Sequence, residues 1–158
     1  MHFHILTLFP ELFPGPLQAS ITGKALEKGL WRFDTINIRD FATDNYRSVD
    51  DTPYGGGAGM VMRADILERA FLSISNPGRR IYLGPRGRPL TQRHVEDIKS
   101  SDTLTLLCGR YEGVDQRFLQ AYDFEEISIG DYILAGGEIP AMVLMESCIR
   151  LIPGAVGN

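Results

Sequence analysis

The order of the apolar segments is the feature that most restricts how this sequence can fold. Short strand-like runs alternate with helix-like segments about five times along the 158 residues. This pattern is typical of an α/β domain with a mostly parallel sheet and helices on both faces. The predicted strands are 2–8, 31–39, 80–83, 103–108 and 124–129. The predicted helices are 20–28, 64–75, 114–122, 141–151 and one that Thr91 caps and that runs to Lys99.

Glycine-bearing loops follow the last three predicted strands. They are residues 84–88 (GPRGR), 109–113 (GRYEG) and 130–137 (GDYILAGG). Ligands of open parallel sheets bind beyond the carboxyl ends of the strands. The strand before GRYEG, TLTLLC, is continuously apolar, as strands buried on both faces are. The sequence therefore predicts a ligand pocket formed by three loops at one edge of the sheet.

The segment 128–140, SIGDYILAGGEIP, is the least regular of these. Glycine breaks at Gly130 and at Gly136-Gly137 enclose an apolar run, and Pro140 is expected at the first position of the last helix. Glycines allow backbone groups to approach a ligand closely, which favours a ligand clamp. The alternative is a strand–turn–helix connection whose glycines serve turn geometry alone.

A second glycine-rich segment, DDTPYGGGAGM at 50–60, lies within a long polar stretch without periodicity. Loops of that length are usually functional or disordered, so this one either wraps a ligand or is a flexible solvated loop. It is not a P-loop, because no Gly-Lys-Ser/Thr follows. It is not a G-x-G-x-x-G dinucleotide fingerprint either, because Met60 stands where the third glycine belongs and no strand precedes it.

Individual side chains in the other motifs leave alternatives open. Arg86 and Arg88 could bind phosphate or carboxylate, or form an ordinary exposed basic turn. The residues between Gly109 and Gly113 follow a buried strand directly, which favours a functional role. Arg150 lies on the last, mostly apolar predicted helix and is either at its solvent edge, the commoner case, or buried with an anionic partner. His2, His4 and His94 are scattered, each is assigned a structural role, and no metal ligand is predicted.

Composition indicates one domain with a core of its own, since 44% of the residues are hydrophobic and 23% are charged. The net charge of -4 argues against a general nucleic-acid coat protein. Two cysteines without metal or redox spacing indicate a reducing, cytoplasmic compartment. The apolar start has no basic region, so it is expected to be a strand and not a signal peptide, and no segment is long enough to span a membrane. The end, LIPGAVGN, is expected to enter a linker.

Four motifs in order, DDTPYGGGAGM, IYLGPRGRPL, CGRYEGVD and SIGDYILAGGEIPAM, resemble the bacterial tRNA (guanine-N1)-methyltransferases of the SPOUT class. The resemblance runs from LTLFPELF to RLIPGAVGN and so covers the whole chain. It implies an α/β domain with a deep trefoil knot in its C-terminal half. It also implies methylation of N1 of the guanine 3′-adjacent to the anticodon (m1G37), with S-adenosylmethionine as methyl donor.

The resemblance further implies which residues bind the cofactor and the substrate. Backbone groups of Ile129, Tyr132 and Leu134 would hold the adenine, with Gly109 beneath the ligand. The full set of implied cofactor-binding residues is Tyr82, Leu83, Pro85, Gly87, Gly109, Tyr111, Ile129, Gly130, Asp131, Tyr132, Ile133, Leu134, Gly136, Gly137 and Pro140. The implied substrate-binding residues are Asp50, Pro53, Tyr54, Gly55, Gly56, Gly57, Gly59 and Arg110.

For catalysis the resemblance implies a general-base Asp, an Arg that stabilises charge on guanine O6, and a requirement for Mg²⁺. Arg150 matches that Arg and Glu112 is the candidate for the magnesium role. The base and a helical C-terminal tRNA-binding domain are expected beyond position 158. Residues 1–158 then form the S-adenosylmethionine-binding knot domain, which is expected to bind cofactor and form a homodimer with a shared site, but to transfer methyl groups poorly.

Two other functions remain open from the sequence. One is a related knotted methyltransferase that acts on another RNA position, which the DDTPYGGGAGM motif argues against. The other is a nucleotide-binding module without catalysis that uses the same glycine loops. Tight binding of ATP, with no preference for a sulfonium ligand, would favour the last alternative.

Overall fold

The structure is a computed structural model and describes residues 1–110 and 112–157. Its strands are β1 (His2–Thr7), β2 (Arg32–Asn37), β3 (Asp50–Asp51), β4 (Val61–Met62), β5 (Arg79–Pro89), β6 (Thr103–Cys108) and β7 (Glu125–Ser128). Its α-helices are α1 (Ser20–Glu27), α2 (Ala64–Leu72), α3 (Gln92–Lys99), α4 (Gln116–Ala121) and α5 (Glu138–Ile149). The predicted alternation of strands and helices is therefore confirmed.

The main sheet is parallel throughout and has the strand order β2-β1-β6-β5-β7 in the described residues. β1 pairs with β2 on one side and β6 on the other, so that Leu6 stands beside Ile36 and Leu107. β5 lies between β6 and β7. Because all strands run the same way, the carboxyl ends of β5, β6 and β7 meet at one edge, as the sequence predicts.

Helices cover both faces of the sheet, each over its own hydrophobic cluster. Side chains of β1, β5, β6 and β7 pack on one face against helices α1, α3 and α5, with Trp31 among the fully buried residues. Alternate side chains of β1, β5 and β6 pack on the other face against α2 and α4. Alternation of side-chain direction along each strand supplies both faces at once, which explains why β6 carries no polar residue except Thr103 and Thr105.

β5 differs most from its prediction. The sequence predicts a strand at 80–83 followed by a loop at 84–88, but the structure has one strand of 11 residues. Leu83 and Arg88 both register with Ile127 of β7, so the residues between them form an irregularity inside the strand. The backbone resumes pairing after this irregularity because β7 continues alongside it.

Three other boundaries also change. β2 ends at Asn37, whose side chain accepts a hydrogen bond from Arg39 N and caps a 3-10 turn at Ile38–Phe41. The polar stretch 40–59, which is predicted to be a functional or disordered loop, contains β3, and β3 pairs antiparallel with β4 just beyond that stretch. α5 begins at Glu138, so Pro140 is its third residue and the prediction that Pro140 opens the helix is wrong. Among the described residues no helix is long and apolar enough to cross a membrane.

Candidate functional site

A cleft of about 380 Å³ lies at the carboxyl ends of β5, β6 and β7. All three glycine-bearing loops contribute to its walls, which confirms the predicted three-loop pocket. The implied cofactor-binding residues that line it are Tyr82, Leu83, Pro85, Gly109, Ile129, Gly130, Tyr132, Ile133, Leu134, Gly136, Gly137 and Pro140. Their contact with a cofactor stays a prediction.

Two of the implied cofactor-binding residues do not line the cleft. A Cβ added to Gly87 would lie 2.5 Å from the backbone carbon of Glu126, so this glycine permits β5 to run against β7. Asp131 is exposed at the rim of the loop. Tyr111, the remaining one, lies outside the described residues. Gly87 thus has a packing role. The sequence motif alone could not distinguish this role from ligand binding.

Tyr82 forms a buried wall of the cleft between two glycines. Its side chain is 6% exposed, and burial raises the pKa of its hydroxyl to about 12. A Cβ at Gly109 would lie 2.8 Å from the Tyr82 ring, and one at Gly84 would lie 2.9 Å from it. Both positions therefore lack a side chain because the ring occupies that space. Tyr82 stays protonated at neutral pH and offers a ring face and a neutral hydroxyl.

Arg110 is held at the back of the cleft by a buried carboxylate. Its Nε and Nη2 lie 3.1 and 3.0 Å from Oε2 of Glu138, whose side chain is 1% exposed. Thr7 donates to the other carboxylate oxygen, Oε1, at 2.9 Å. The guanidinium also stacks 4.4 Å from the ring centroid of Phe9. Arg110 is therefore fixed in position, and part of its charge is neutralised before any ligand arrives.

The backbone couples the second and third loops directly. Gly137 N donates to Gly109 O at 3.0 Å, and a Cβ on Gly137 would lie 2.9 Å from Cα of Cys108. Cys108 is fully buried, and burial followed by the nearby Glu138 raises the pKa of its thiol well above the usual value. Cys108 is consequently a packing residue and not a nucleophile.

The DDTPYGGGAGM segment lies beside the cleft and is not part of its wall. Met60 O accepts from Glu112 N at 2.9 Å, and Gly113 O accepts from Met62 N at 3.0 Å, so the segment is attached to the β6–α4 loop. Tyr54 is 88% exposed and lies 5.0 Å from the Arg117 guanidinium. The implied substrate-binding residues Asp50, Pro53, Tyr54, Gly55, Gly56, Gly57 and Gly59 therefore do not line the cleft, whereas Arg110 does.

Arg150, the implied charge-stabilising residue, lies outside the cleft. It is exposed at the end of α5, in a shallow depression with Gln92 and Val143. The solvent-edge alternative for Arg150 is thereby confirmed within a single chain. Its catalytic role stays a prediction.

Several cleft residues are absent from the sequence-based assignment. The unassigned residues that line the cleft are Gly84, Arg86, Gly113, Glu126, Ile127, Ser128 and Ala135. The period of two in β7 is a usable signal for Glu126, because it puts Glu126 and Ser128 on the same face.

Metal-capable side chains cluster in one place among the described residues. The one group of three or more candidate ligands there is His2, His4 and Asp34, at the opposite end of the sheet. Glu112 lines the cleft but belongs to no group of three or more candidate ligands among the described residues.

Comparison with known proteins gives consistent matches. Residues 1–158 match the family described as tRNA (Guanine-1)-methyltransferase TrmD. A protein named tRNA (guanine-N(1)-)-methyltransferase from Bartonella bacilliformis is 56% identical over 155 residues, which cover 98% of this chain and 67% of that protein. Proteins of the same name from Rhizobium etli and Mesorhizobium japonicum are 53% and 55% identical, over 98% of this chain and 67% and 68% of their own lengths.

The chain spans about two thirds of the length of these relatives. The sequence identity to these relatives exceeds 50% over nearly the whole chain, and the aligned region includes every loop that lines the cleft. The chain therefore belongs to the tRNA (guanine-N1)-methyltransferase family.

Proposed function

We propose that this chain is the cofactor-binding core of an enzyme that methylates N1 of the guanine 3′-adjacent to the anticodon (m1G37) in tRNA, using S-adenosylmethionine. The observation that carries the proposal is family membership over residues 1–158 together with a cleft formed by all three motif loops. The names of the relatives give the reaction class, and the cleft gives a place for the methyl donor.

The residues of the cleft fit S-adenosylmethionine. The walls combine a ring face from Tyr82, apolar side chains such as Leu134, and exposed backbone at Gly130 and Gly136. Backbone N–H and C=O groups suit an adenine edge, and the carboxylate of Glu126 suits the cationic end of the donor. Gly109 lacks a Cβ at a cleft position where an added Cβ would lie 2.8 Å from the Tyr82 ring. When bound, the cofactor supplies an electrophilic methyl carbon on a sulfonium.

The chain's own residues have to hold, orient and activate the guanine. N1 must lose its proton so that its lone pair can attack; the bound donor would supply the methyl group, with its C–S bond breaking as the N–C bond forms and a neutral thioether as the leaving group. The base that takes the proton is the Asp proposed to lie beyond position 158, and such a base typically contributes ~10²–10⁴-fold. Arg150 would stabilise the negative charge that develops on O6.

A second copy of the chain is needed to bring Arg150 to a cleft. We propose a homodimer in which the partner supplies Arg150, because Arg150 does not line the cleft of its own chain. An exposed apolar surface supports this proposal, since Ile133 is 80% exposed and Ile139 is 62% exposed on the loop and helix next to the cleft. Burying both on a partner would remove the largest apolar exposure near the site.

A trefoil knot is proposed for the C-terminal half. The path of the chain supports it, because the segment after β7 returns from the sheet edge to pack Gly137 against Cys108 and Glu138 against Thr7. α5 then packs against β6, the central strand of the sheet. The tRNA-binding helical domain is proposed to occupy the third of the relatives that this chain does not cover.

A magnesium ion fits the described residues poorly. Mg²⁺ requires several oxygen ligands in octahedral geometry, and in the described part of the chain Glu112 belongs to no group of three or more candidate ligands. No catalytic step here depends on the ion. The compartment is proposed to be the cytoplasm, with which the free, buried thiols of Cys108 and Cys148 agree.

The test is calorimetric titration of the chain with S-adenosylhomocysteine, alongside two glycine variants. Gly109→Ala adds a methyl group 2.8 Å from the Tyr82 ring and should weaken binding by tenfold or more, because the ring must move into the cleft. Gly157→Ala, where nothing lies within 4 Å of the added carbon, should bind as the parent does. Absence of saturable binding to folded parent protein, or tighter binding of ATP, would refute the proposal.

A further inference from the structure

The amino end of the sheet carries a cluster of metal-binding side chains. His2 and His4 are two residues apart on β1, so both imidazoles project from the same face. Asp34 of β2 is the direct neighbour of His4 in the parallel register. One ligand atom from each of the three lies within 4.8 Å of the others.

The distances within this cluster are close to those of a coordination sphere. Asp34 Oδ2 lies 2.5 Å from His2 Nε2 and 3.2 Å from His4 Nδ1, and the two imidazole centroids are 4.1 Å apart. Ligands about 2.0–2.1 Å from a tetrahedral zinc ion stand roughly 3.3 Å from one another. An outward movement of the exposed Asp34 side chain by less than an ångström would open the required space.

The surrounding backbone orients both histidines. His4 Nε2 lies 3.1 Å from Asn76 O, and a carbonyl can only accept, so Nε2 carries the proton and Nδ1 presents its lone pair towards Asp34. A carbonyl behind a histidine is the usual support of a metal ligand. His2 is fixed through its backbone, because His2 N donates to Asp102 O at 2.8 Å.

We propose that His2, His4 and Asp34 bind one zinc ion, with water completing the tetrahedron. Two imidazoles and a carboxylate suit this borderline ion better than Mg²⁺ or Ca²⁺, which prefer oxygen ligands alone. The ion would fasten β1 to β2 at the end of the sheet opposite the cleft. Its role is therefore structural, and it is independent of the proposed methyl transfer.

The test is a titration of the whole chain with zinc chloride, followed by calorimetry and by ¹⁵N–¹H spectra of the histidine side chains. The chain has 3 histidines, so the spectrum contains its own reference. His94 lies on α3, is 2% exposed, and faces Glu125, which also pairs with Arg79. The expected result is saturation at one zinc per chain, with the signals of His2 and His4 shifted and that of His94 unchanged. Thermal stability should rise with zinc concentration.

Two variants sharpen the result. Asp34→Asn keeps the shape of an exposed side chain and should weaken zinc binding at least tenfold. Glu27→Gln, which removes an exposed carboxylate at the end of α1, should leave binding unchanged. The proposal is overturned if zinc does not saturate, if saturation leaves the His2 and His4 signals in place, or if Asp34→Asn binds as the parent does while its circular dichroism shows it folded.

Discussion

The buried pair of Glu138 and Arg110 connects the stability of the chain to the geometry of the cleft. In Glu138→Gln the side chain keeps its shape but loses its charge. The best orientation of the amide places its oxygen towards Arg110 and its NH₂ towards Thr7. Thr7 Oγ1 already accepts from Phe9 N at 3.0 Å and can accept again, but its hydroxyl hydrogen then has no acceptor at a site that is 0% exposed.

The cost of this substitution follows from its two parts. Removing one partner of a buried ion pair typically costs about 3–5 kcal/mol. Arg110 retains 22% side-chain exposure and its stacking on Phe9, which reduces the penalty for the charge left behind. An orphaned buried hydroxyl adds about 1 kcal/mol. We therefore expect the free energy of unfolding to fall by roughly 2–3 kcal/mol, which is a decrease in Tm of about 4–12 °C for a domain of this size.

The assay is urea denaturation of parent and variant, with Glu146→Gln as the matched control. Glu146 lies on the same helix but is exposed, so its substitution should change stability by less than about 0.5 kcal/mol. Equal stabilities of the two variants would refute the reasoning, because Glu138 would then contribute no more than a solvated carboxylate. A decrease in the free energy of unfolding above about 5 kcal/mol would also contradict it, because the partial exposure of Arg110 would then not have reduced the penalty for its unpaired charge.

Further predictions concern titratable groups and the distant arginine. Because burial raises the folded-state pKa of Tyr82 to about 12, above its unfolded value near 10, its contribution to stability is complete below pH 10 and is lost between about pH 10 and 12. Tyr82→Phe should lessen the alkaline decline seen by denaturation across that range, and an unchanged decline would contradict the assignment. The thiols of Cys108 and Cys148, the latter with a pKa raised to about 12 by burial, should resist a thiol reagent until the chain unfolds, and rapid labelling of folded protein would contradict this. In the full-length enzyme, Arg150→Ala should lower kcat far more than cofactor affinity, and a parallel loss of cofactor binding would show that the assigned role is wrong.

Local sequence patterns were sufficient to predict the layers of the fold and the location of the cleft. TLTLLC predicted β6 to the residue, and Thr91 caps α3 as expected, accepting from His94 N at 3.2 Å. The glycine motifs predicted the cleft because the carboxyl ends of parallel strands must share an edge. These features depend on side-chain periodicity and turn chemistry, which a single sequence contains.

Features that depend on neighbours distant in sequence were not predictable in this way. The strand β5 continues to Pro89 only because β7 lies beside it, and GPRGRP considered alone has the composition of a loop. Gly87 was assigned to the cofactor, whereas its lack of a side chain serves the contact with Glu126. Glu138 becomes structurally important through Thr7, which is 131 residues away in the sequence.

The histidines illustrate the same limit at the other end of the sheet. Nothing in the spacing of His2, His4 and Asp34 suggests a cluster, because Asp34 is 32 residues from His2. The parallel register of β1 with β2 is what sets Asp34 beside His4. A pairing register is a tertiary property, so the cluster could be recognised only from the structure.

The most direct test of the central claim is methylation of a tRNA transcript by the full-length enzyme with S-adenosylmethionine, read by primer extension. N1-methylguanine blocks base pairing, so the account predicts a single stop at the guanine 3′ of the anticodon. It predicts no stop when that guanine is replaced by adenine, and a weaker stop with Gly109→Ala enzyme when S-adenosylmethionine is limiting. A stop at a different position, or methyl transfer that persists after the guanine is replaced, would contradict the account.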